Sequence, residues 1–229
     1  MAGKLFNPTV VLFLVSLLNF WVWRIFQGNI FLGVILLFLT FILFRLYQDK
    51  KGKLLIALLI SIVLVSLFVL GEGWDKTIFA KSPAQVLLQD RRHGYLADNL
   101  GKAFTNKASQ IFYARFSTPI YKMQENVFST LDLNLYFFAS HPRERAGIDD
   151  FEKYSFVFLP VFLIGFVKLL SEKKKIVIYY FLLALVVSAF ISSKYRFGPV
   201  FFFPLINLAI TIGFLYLVNF FRTKLKYEI

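Results

Sequence analysis

Apolar and polar positions alternate along this chain in long blocks. Residues 8–26, 30–47, 54–70, 154–170, 176–193 and 197–221 form six apolar stretches separated by polar ones. A membrane-crossing helix needs ~20 mostly apolar residues, because the hydrocarbon core is ~30 Å thick and each helical residue advances ~1.5 Å. All six stretches are near that length. None shows the period of two that marks barrel strands, and unpaired backbone amides are intolerable in lipid, so the pattern predicts helices. The expected fold class is all-α: a polytopic integral membrane protein of about six transmembrane helices. Three parts follow, an N-terminal three-helix membrane unit (1–70), an intervening segment (71–153), and a C-terminal three-helix unit with a short basic tail (154–229).

The intervening segment far exceeds the ~12–15 residues usual for a structureless connection, so it is expected to carry structure of its own. Leu100, Phe104, Ala108, Ile111 and Phe112 share one helical face, with Lys102, Asn106, Lys107 and Gln110 opposite. Such a basic amphipathic helix either lies in the headgroup plane or packs across the tops of the spans. Pro119 is expected to end it, since proline removes an amide donor and disfavours helix in the residue before it. Residues 127–139 include Leu131, Leu133, Leu135, Tyr136, Phe137 and Phe138 with Asp132 as the one charge. Too short for a span, they read as a re-entrant or surface-docked segment.

Charge turns this pattern into a topology. The chain has 26 Lys and Arg against 13 Asp and Glu, a net charge of +13, yet only 17% of its residues are charged and its mean hydropathy is +0.67. That composition excludes a disordered chain and a soluble nucleic-acid module. Alternating the six spans puts Lys4, Arg45, Lys50, Lys51, Lys53, Lys168, Lys173, Lys174, Lys175, Arg222, Lys224 and Lys226 on one side. The short segments opposite hold only Arg24, Lys194 and Arg196. The positive-inside rule then predicts both termini in the cytoplasm and residues 71–153 outside the cytoplasmic membrane. The surplus charge is a topology signal, and no nucleic-acid partner is expected. The first stretch is expected to be retained: it is longer than a signal-peptide core, and Trp23-Arg24-Ile25-Phe26-Gln27 offers no small-x-small cleavage site. With no cysteine, disulfides and thiolate chemistry are excluded.

No phosphate loop, His-x-x-x-His pair or nucleophile elbow is present. Candidate chemistry therefore rests on clusters at the outer face. Glu72 and Asp75 flank Trp74 after the third span, either as an acid/base pair or as solvated interfacial carboxylates. Asp149 and Asp150, with Glu152, precede the fourth span, where anions suit a helix N-terminus better than catalysis. Arg91, Arg92 and His93, and His141 with Arg143 and Arg145, could clamp phosphate or pair with headgroups and nearby acids. Lys194, Tyr195 and Arg196 open the sixth span on the side where cations are scarce, which makes them the most informative charges in the chain; snorkelling is the plain alternative. No metal site and no cofactor are predicted, since two histidines cannot complete an all-histidine site; a divalent ion held by carboxylates has no spacing to support it. Asn19 and Asn207, inside spans, are expected to form interhelical hydrogen bonds.

The order of elements carries one resemblance. A span, a long outer segment holding Leu135-Tyr136-Phe137-Phe138, a proline-containing span ending in lysines, a short span, and then Lys194-Tyr195-Arg196-Phe197-Gly198-Pro199 opening a helix with Pro204 inside it resemble the C-terminal part of bacterial GT-C membrane glycosyltransferases. That family uses polyprenyl-phosphate sugars outside the cytoplasmic membrane. The resemblance implies a lipid-linked phosphate as partner, beside ordinary membrane lipids, and Tyr195 and Arg196 as its contacts. The chain departs from the family in its first outer loop, where Arg24 to Asn29 contains no Asp or Glu to serve as the catalytic acid motif. A reduced or accessory form is the reading that follows. The alternative is a non-enzymatic scaffold that docks a membrane-protein partner, or a second copy of itself, through the outer segment.

Overall fold

The computed structural model describes residues 7–48, 52–80, 83–101, 106–138, 151–192 and 195–227. Eleven α-helices occur among them: α1 (Pro8–Leu17), α2 (Phe20–Gly28), α3 (Ile30–Gln48), α4 (Gly52–Gly73), α5 (Pro83–Leu100), α6 (Lys107–Arg115), α7 (Ser117–Leu131), α8 (Asn134–Phe137), α9 (Phe158–Ser171), α10 (Lys175–Ala189) and α11 (Phe203–Tyr227). A 3-10 turn, Val200–Phe202, leads into α11. No strand is present among the described residues, only an isolated antiparallel bridge between Trp74 and Ile191.

Helices Ile30–Gln48, Lys53–Gly73 and Val200–Lys224 are long and apolar enough to cross a membrane, and α1 with α2 makes a fourth if the bent pair is one span. The remaining two expected spans are the shorter apolar helices α9 and α10. On α4, Leu58, Ile62, Val65 and Val69 are buried while Ile56, Leu59 and Leu67 are exposed. A helix apolar all round, with one face in the bundle, has its other face suited to lipid.

The first stretch is broken, not straight: α1 and α2 meet at 62°. Asn19 makes the joint. Its Oδ1 accepts from Val22 N (2.8 Å) as the cap of α2, and its Nδ2 donates to Val15 O (3.0 Å) and Ser16 O (2.8 Å), the last carbonyls of α1. The interhelical bond expected of Asn19 is thus this local bridge between two halves of one stretch. Asn207 is fully buried and its amide faces the Tyr154 hydroxyl without good hydrogen-bond geometry, so the interhelical bond expected of it is not formed.

The core is organised around the 3-10 turn and the first half of α11, residues 200–213, all of which are buried. Helix α9 crosses it where Gly165 meets Gly213: a Cβ at Gly165 would strike the Ala209 carbonyl, and one at Gly213 the Val161 carbonyl. Missing side chains let two backbones touch, the usual device for tight helix pairing in membranes. Helices α1 and α3 also pack on α11, and Leu12, Leu36, Leu39 and Phe44 belong to the same buried core.

The intervening segment differs from expectation. The predicted helix over Leu100 to Phe112 is two helices, because α5 stops at Gly101 (φ +54°) and Asn106 starts α6 by accepting from Ser109 N at 2.7 Å. Phe104 lies outside the described residues. Pro119 does not end a helix; it sits in the first turn of α7, where its missing N–H costs nothing. The aromatic stretch that follows does dock: Tyr136 and Phe137 are buried against Trp21, Tyr154 and Phe162.

Candidate functional site

Helix ends supply the frame. The chain leaving α4 and the chain leaving α10 are clamped by Asp75 N to Phe190 O (3.0 Å) and Ser192 N to Gly73 O (2.8 Å), and the Trp74 ring stacks on Phe190 at 5.5 Å. Gly73 is required here, since a Cβ would fall 2.7 Å from Cδ2 of Tyr195, whose ring lies across it. The chain then turns: Tyr195 N donates to Ser192 O (2.9 Å) and Gly198 N to Tyr195 O (2.8 Å), with Gly198 at φ +68°. Beneath, the Trp21 indole donates to Phe197 O at 2.6 Å and is itself packed by Phe203 and Tyr154. Lys153, nearly inaccessible, donates to Leu135 O (2.8 Å) and faces the Phe151 ring at 4.8 Å.

This frame brings four sequence-predicted residues together. Glu72, Asp75, Tyr195 and Arg196 line one open pocket of about 430 Å³, with Gly73, Trp74, Lys76, Thr77 and Ser192. Arg196 Nη2 donates to Glu72 Oε2 at 2.8 Å, and its guanidinium lies 4.4 Å from the centre of the Phe197 ring. Both members of the pair are about half exposed. Such a pair adds only ~0–1 kcal/mol to stability, so it orients the guanidinium more than it secures the fold.

The two carboxylates have different roles. Asp75 is buried, and its oxygens accept from Thr77 N (2.9 Å), Thr77 Oγ1 (2.6 Å) and Asn126 Nδ2 (3.0 Å). Burial pushes its carboxyl up, but the hydrogen bonds from Thr77 and Asn126 and the Lys122 charge outweigh that and hold it below the usual carboxylate value. A carboxylate so occupied is an anchor: Asn126 also donates to Ala189 O (3.1 Å), tying α7 to the end of α10. Glu72 is the carboxylate with an oxygen open to the pocket. The Tyr195 hydroxyl is buried without a hydrogen bond; desolvation, and then the Glu72 charge, push its pKa up while Arg196 opposes them, so it is a neutral donor at ordinary pH.

The other predicted residues do not join them. Arg91, Arg92 and His93 lie on α5, where Arg92 faces the Tyr121 ring at 5.9 Å and His93 the Tyr113 ring at 5.6 Å. They line no part of the pocket. Lys194, His141, Arg143, Arg145, Asp149 and Asp150 lie outside the described residues. Their neighbour Glu152 accepts from Phe156 N at 3.2 Å in the turn before α9; α9 itself starts after Val157 with no side-chain cap, so Glu152 does not cap it as expected of that acidic group. Among the described residues no cluster of three His, Asp or Glu could hold a metal ion. Asn126, Lys76 and Thr77 escaped the sequence reading; Asn126 sits mid-helix 51 residues from Asp75, with no local pattern to reveal the pairing. No family model, curated protein or solved structure matches the chain.

Proposed function

We propose that this is a multi-pass protein of the cytoplasmic membrane that binds an anionic, lipid-linked phosphate at its outer face, with Arg196 as the main phosphate contact. The observation that carries the reading is the convergence of Arg196, Tyr195 and Lys76 with Glu72 in one pocket built from the ends of α4 and α10. Guanidinium donors not used by Glu72 face solvent, Lys76 adds a second cation, and Trp74 supplies an amphipathic ring of the kind found at membrane interfaces. In this topology all six apolar stretches cross, α1 with α2 as a kinked span, and the lysine-rich turns face the cytoplasm. The element order that resembles GT-C glycosyltransferases accords with a polyprenyl-phosphate ligand. Glu72 is the carboxylate placed for acid or base work should a sugar be transferred; Asp75 is committed to the fold.

The test is titration of a polyprenyl phosphate into the protein in nanodiscs. Arg196→Gln combined with Lys194→Gln is expected to weaken binding by about tenfold or more, since hydrogen bonds to charged groups contribute ~1.5–3 kcal/mol. Unchanged affinity would remove these residues from the role. A second reading, a scaffold, is favoured by the exposed Ile111, Phe112, Phe116 and Phe128 on α6, α7 and the residue between them. It expects a membrane-protein partner that co-purifies with the wild type and is lost when Ile111 and Phe112 are made polar.

A further inference from the structure

The turn between α9 and α10 contains an outlier. Lys173 has φ +48°, and among the described residues it is the one non-glycine residue in the left-handed region. Glycine or asparagine takes that conformation with less strain, so a lysine there points to a use for its charge. Three more lysines gather at the same turn. Lys168 is 3.9 Å from Glu172, and Lys174 faces the Tyr47 ring at 5.5 Å, whereas Lys173 and Lys175 are exposed.

Directly beside this turn, α9 and α10 part around a groove of about 580 Å³, within the range of sites that hold small molecules. Phe166 and Leu170 form one wall, Ile178 and Leu182 the other, and Phe202 and Ile206 the floor. The two hydroxyls at its far end are already engaged: Thr130 Oγ1 donates to Asn126 O (2.8 Å) and Tyr136 Oη to Thr130 O (2.7 Å). Hydrocarbon is the occupant such walls can solvate, because a polar group placed there would find no partner. The lysines do not line the groove but sit on the turn that joins its two walls, between Leu170 and Val177, where they would select the sign of the headgroup.

We propose that this groove holds an acyl chain of an anionic phospholipid of the surrounding bilayer, its phosphate gripped by Lys173 and Lys175. The inference rests on the bundle lying in a membrane and is independent of the Arg196 pocket at the opposite end.

Native mass spectrometry of the full chain, released from vesicles of equimolar phosphatidylglycerol and phosphatidylcholine with identical chains, tests it. The wild type is expected to retain phosphatidylglycerol preferentially. Each of Lys173→Gly and Lys175→Gln should cut that preference about fivefold, the effect of one basic residue at an anionic surface. Lys173→Gly should at the same time leave the melting temperature unchanged or higher, which a purely structural lysine would not do; Lys173→Asn, also suited to the turn, repeats the test if glycine loosens it. Leu182→Trp, which fills the groove, should lower retention, while Arg196→Gln with Lys194→Gln should leave it untouched. Equal retention of both lipids by the wild type, or full preference in both Lys173 variants, would overturn the proposal. So would a disulfide-linked dimer formed through Leu182→Cys, the sole cysteine in the chain, since it would assign the groove to a second copy.

Discussion

The Arg196 end and the lysine-rich end of the bundle are built on opposite plans. At the Arg196 end, residues remote in sequence are bonded to one another: Trp21 to Phe197, Asp75 to Asn126, Trp74 with Ile191, and Glu72 to Arg196. At the other end many contacts are those of a tight turn, such as Lys173 N to Leu170 O and Lys168 to Glu172; the long-range ones gather on two tyrosines, Tyr47 with Glu172 Oε2 (2.7 Å) and Lys174, and Tyr216 with Lys168. The cause is backbone satisfaction. Irregular segments 74–80, 151–157, 191–192 and 195–199 all run through the Arg196 end, and their buried N–H and C=O groups must find partners. Meeting that demand fixes side chains in place, which is what a polar site needs. A two-helix turn makes no such demand, so α9 and α10 are free to part and leave an apolar groove beside a row of cations.

The contrast predicts unequal costs for removing one contact from each end. Trp21→Ala should be the most damaging change, because it empties a fully buried aromatic site and orphans Phe197 O. A loss of about 3–5 kcal/mol is expected, read as a fall in melting temperature in detergent. If Trp21→Ala cost no more than a contact at the lysine-rich end, the two ends would not differ as argued.

Asn126→Ala comes next, at about 1–3 kcal/mol, since it leaves the buried Asp75 carboxylate short of one donor. It carries a pH signature. Asp75 has a folded pKa below its ordinary value, so its contribution is fully present above the ordinary carboxyl value of about 4 and is lost as pH falls through the lower folded value. Melting temperature measured from pH 6 down to pH 3 should therefore drop in the wild type, with a smaller Asp75 component in Asn126→Ala. Tyr47→Phe, at the other end, should cost only about 1 kcal/mol and is the reference for the comparison. A larger cost than that of Asn126→Ala would reverse the ranking of the two ends.

Helical class and the positions of the apolar stretches were legible, because each is local in sequence; Glu72, Asp75, Tyr195 and Arg196 were each singled out, but that they share one pocket depends on the fold. The 62° break in the first stretch was signalled by Asn19, a capping residue inside an apolar run, but composition alone does not separate a cap from an interhelical bond. Gly165 and Gly213 have no flanking signal: their use depends on which helix lies opposite. Asp75 read as either an acid/base group or a solvated interfacial carboxylate, and it is neither: nothing near it in sequence shows Asn126, which arrives from α7 and makes it an anchor. Pro119 misled in the other direction, since a proline that breaks a helix and one that begins it look alike until the chain on both sides is placed.

The smallest effect on stability belongs to Glu72→Gln, and it is the most diagnostic of what the Arg196 end is for. The pair is half exposed and the amide oxygen can still accept from Arg196, so the melting temperature should move by less than about 1 kcal/mol equivalent. Affinity for a phosphate headgroup should rise severalfold, because an anion beside the guanidinium competes with the ligand, and the gain should shrink as salt screens it. Weaker binding would mean that Glu72 positions Arg196 and that the pair acts as one unit. No change with salt or substitution would mean that the cations of this pocket face the headgroup layer without binding any one lipid, and the long-range bonding of this end would then serve the fold alone.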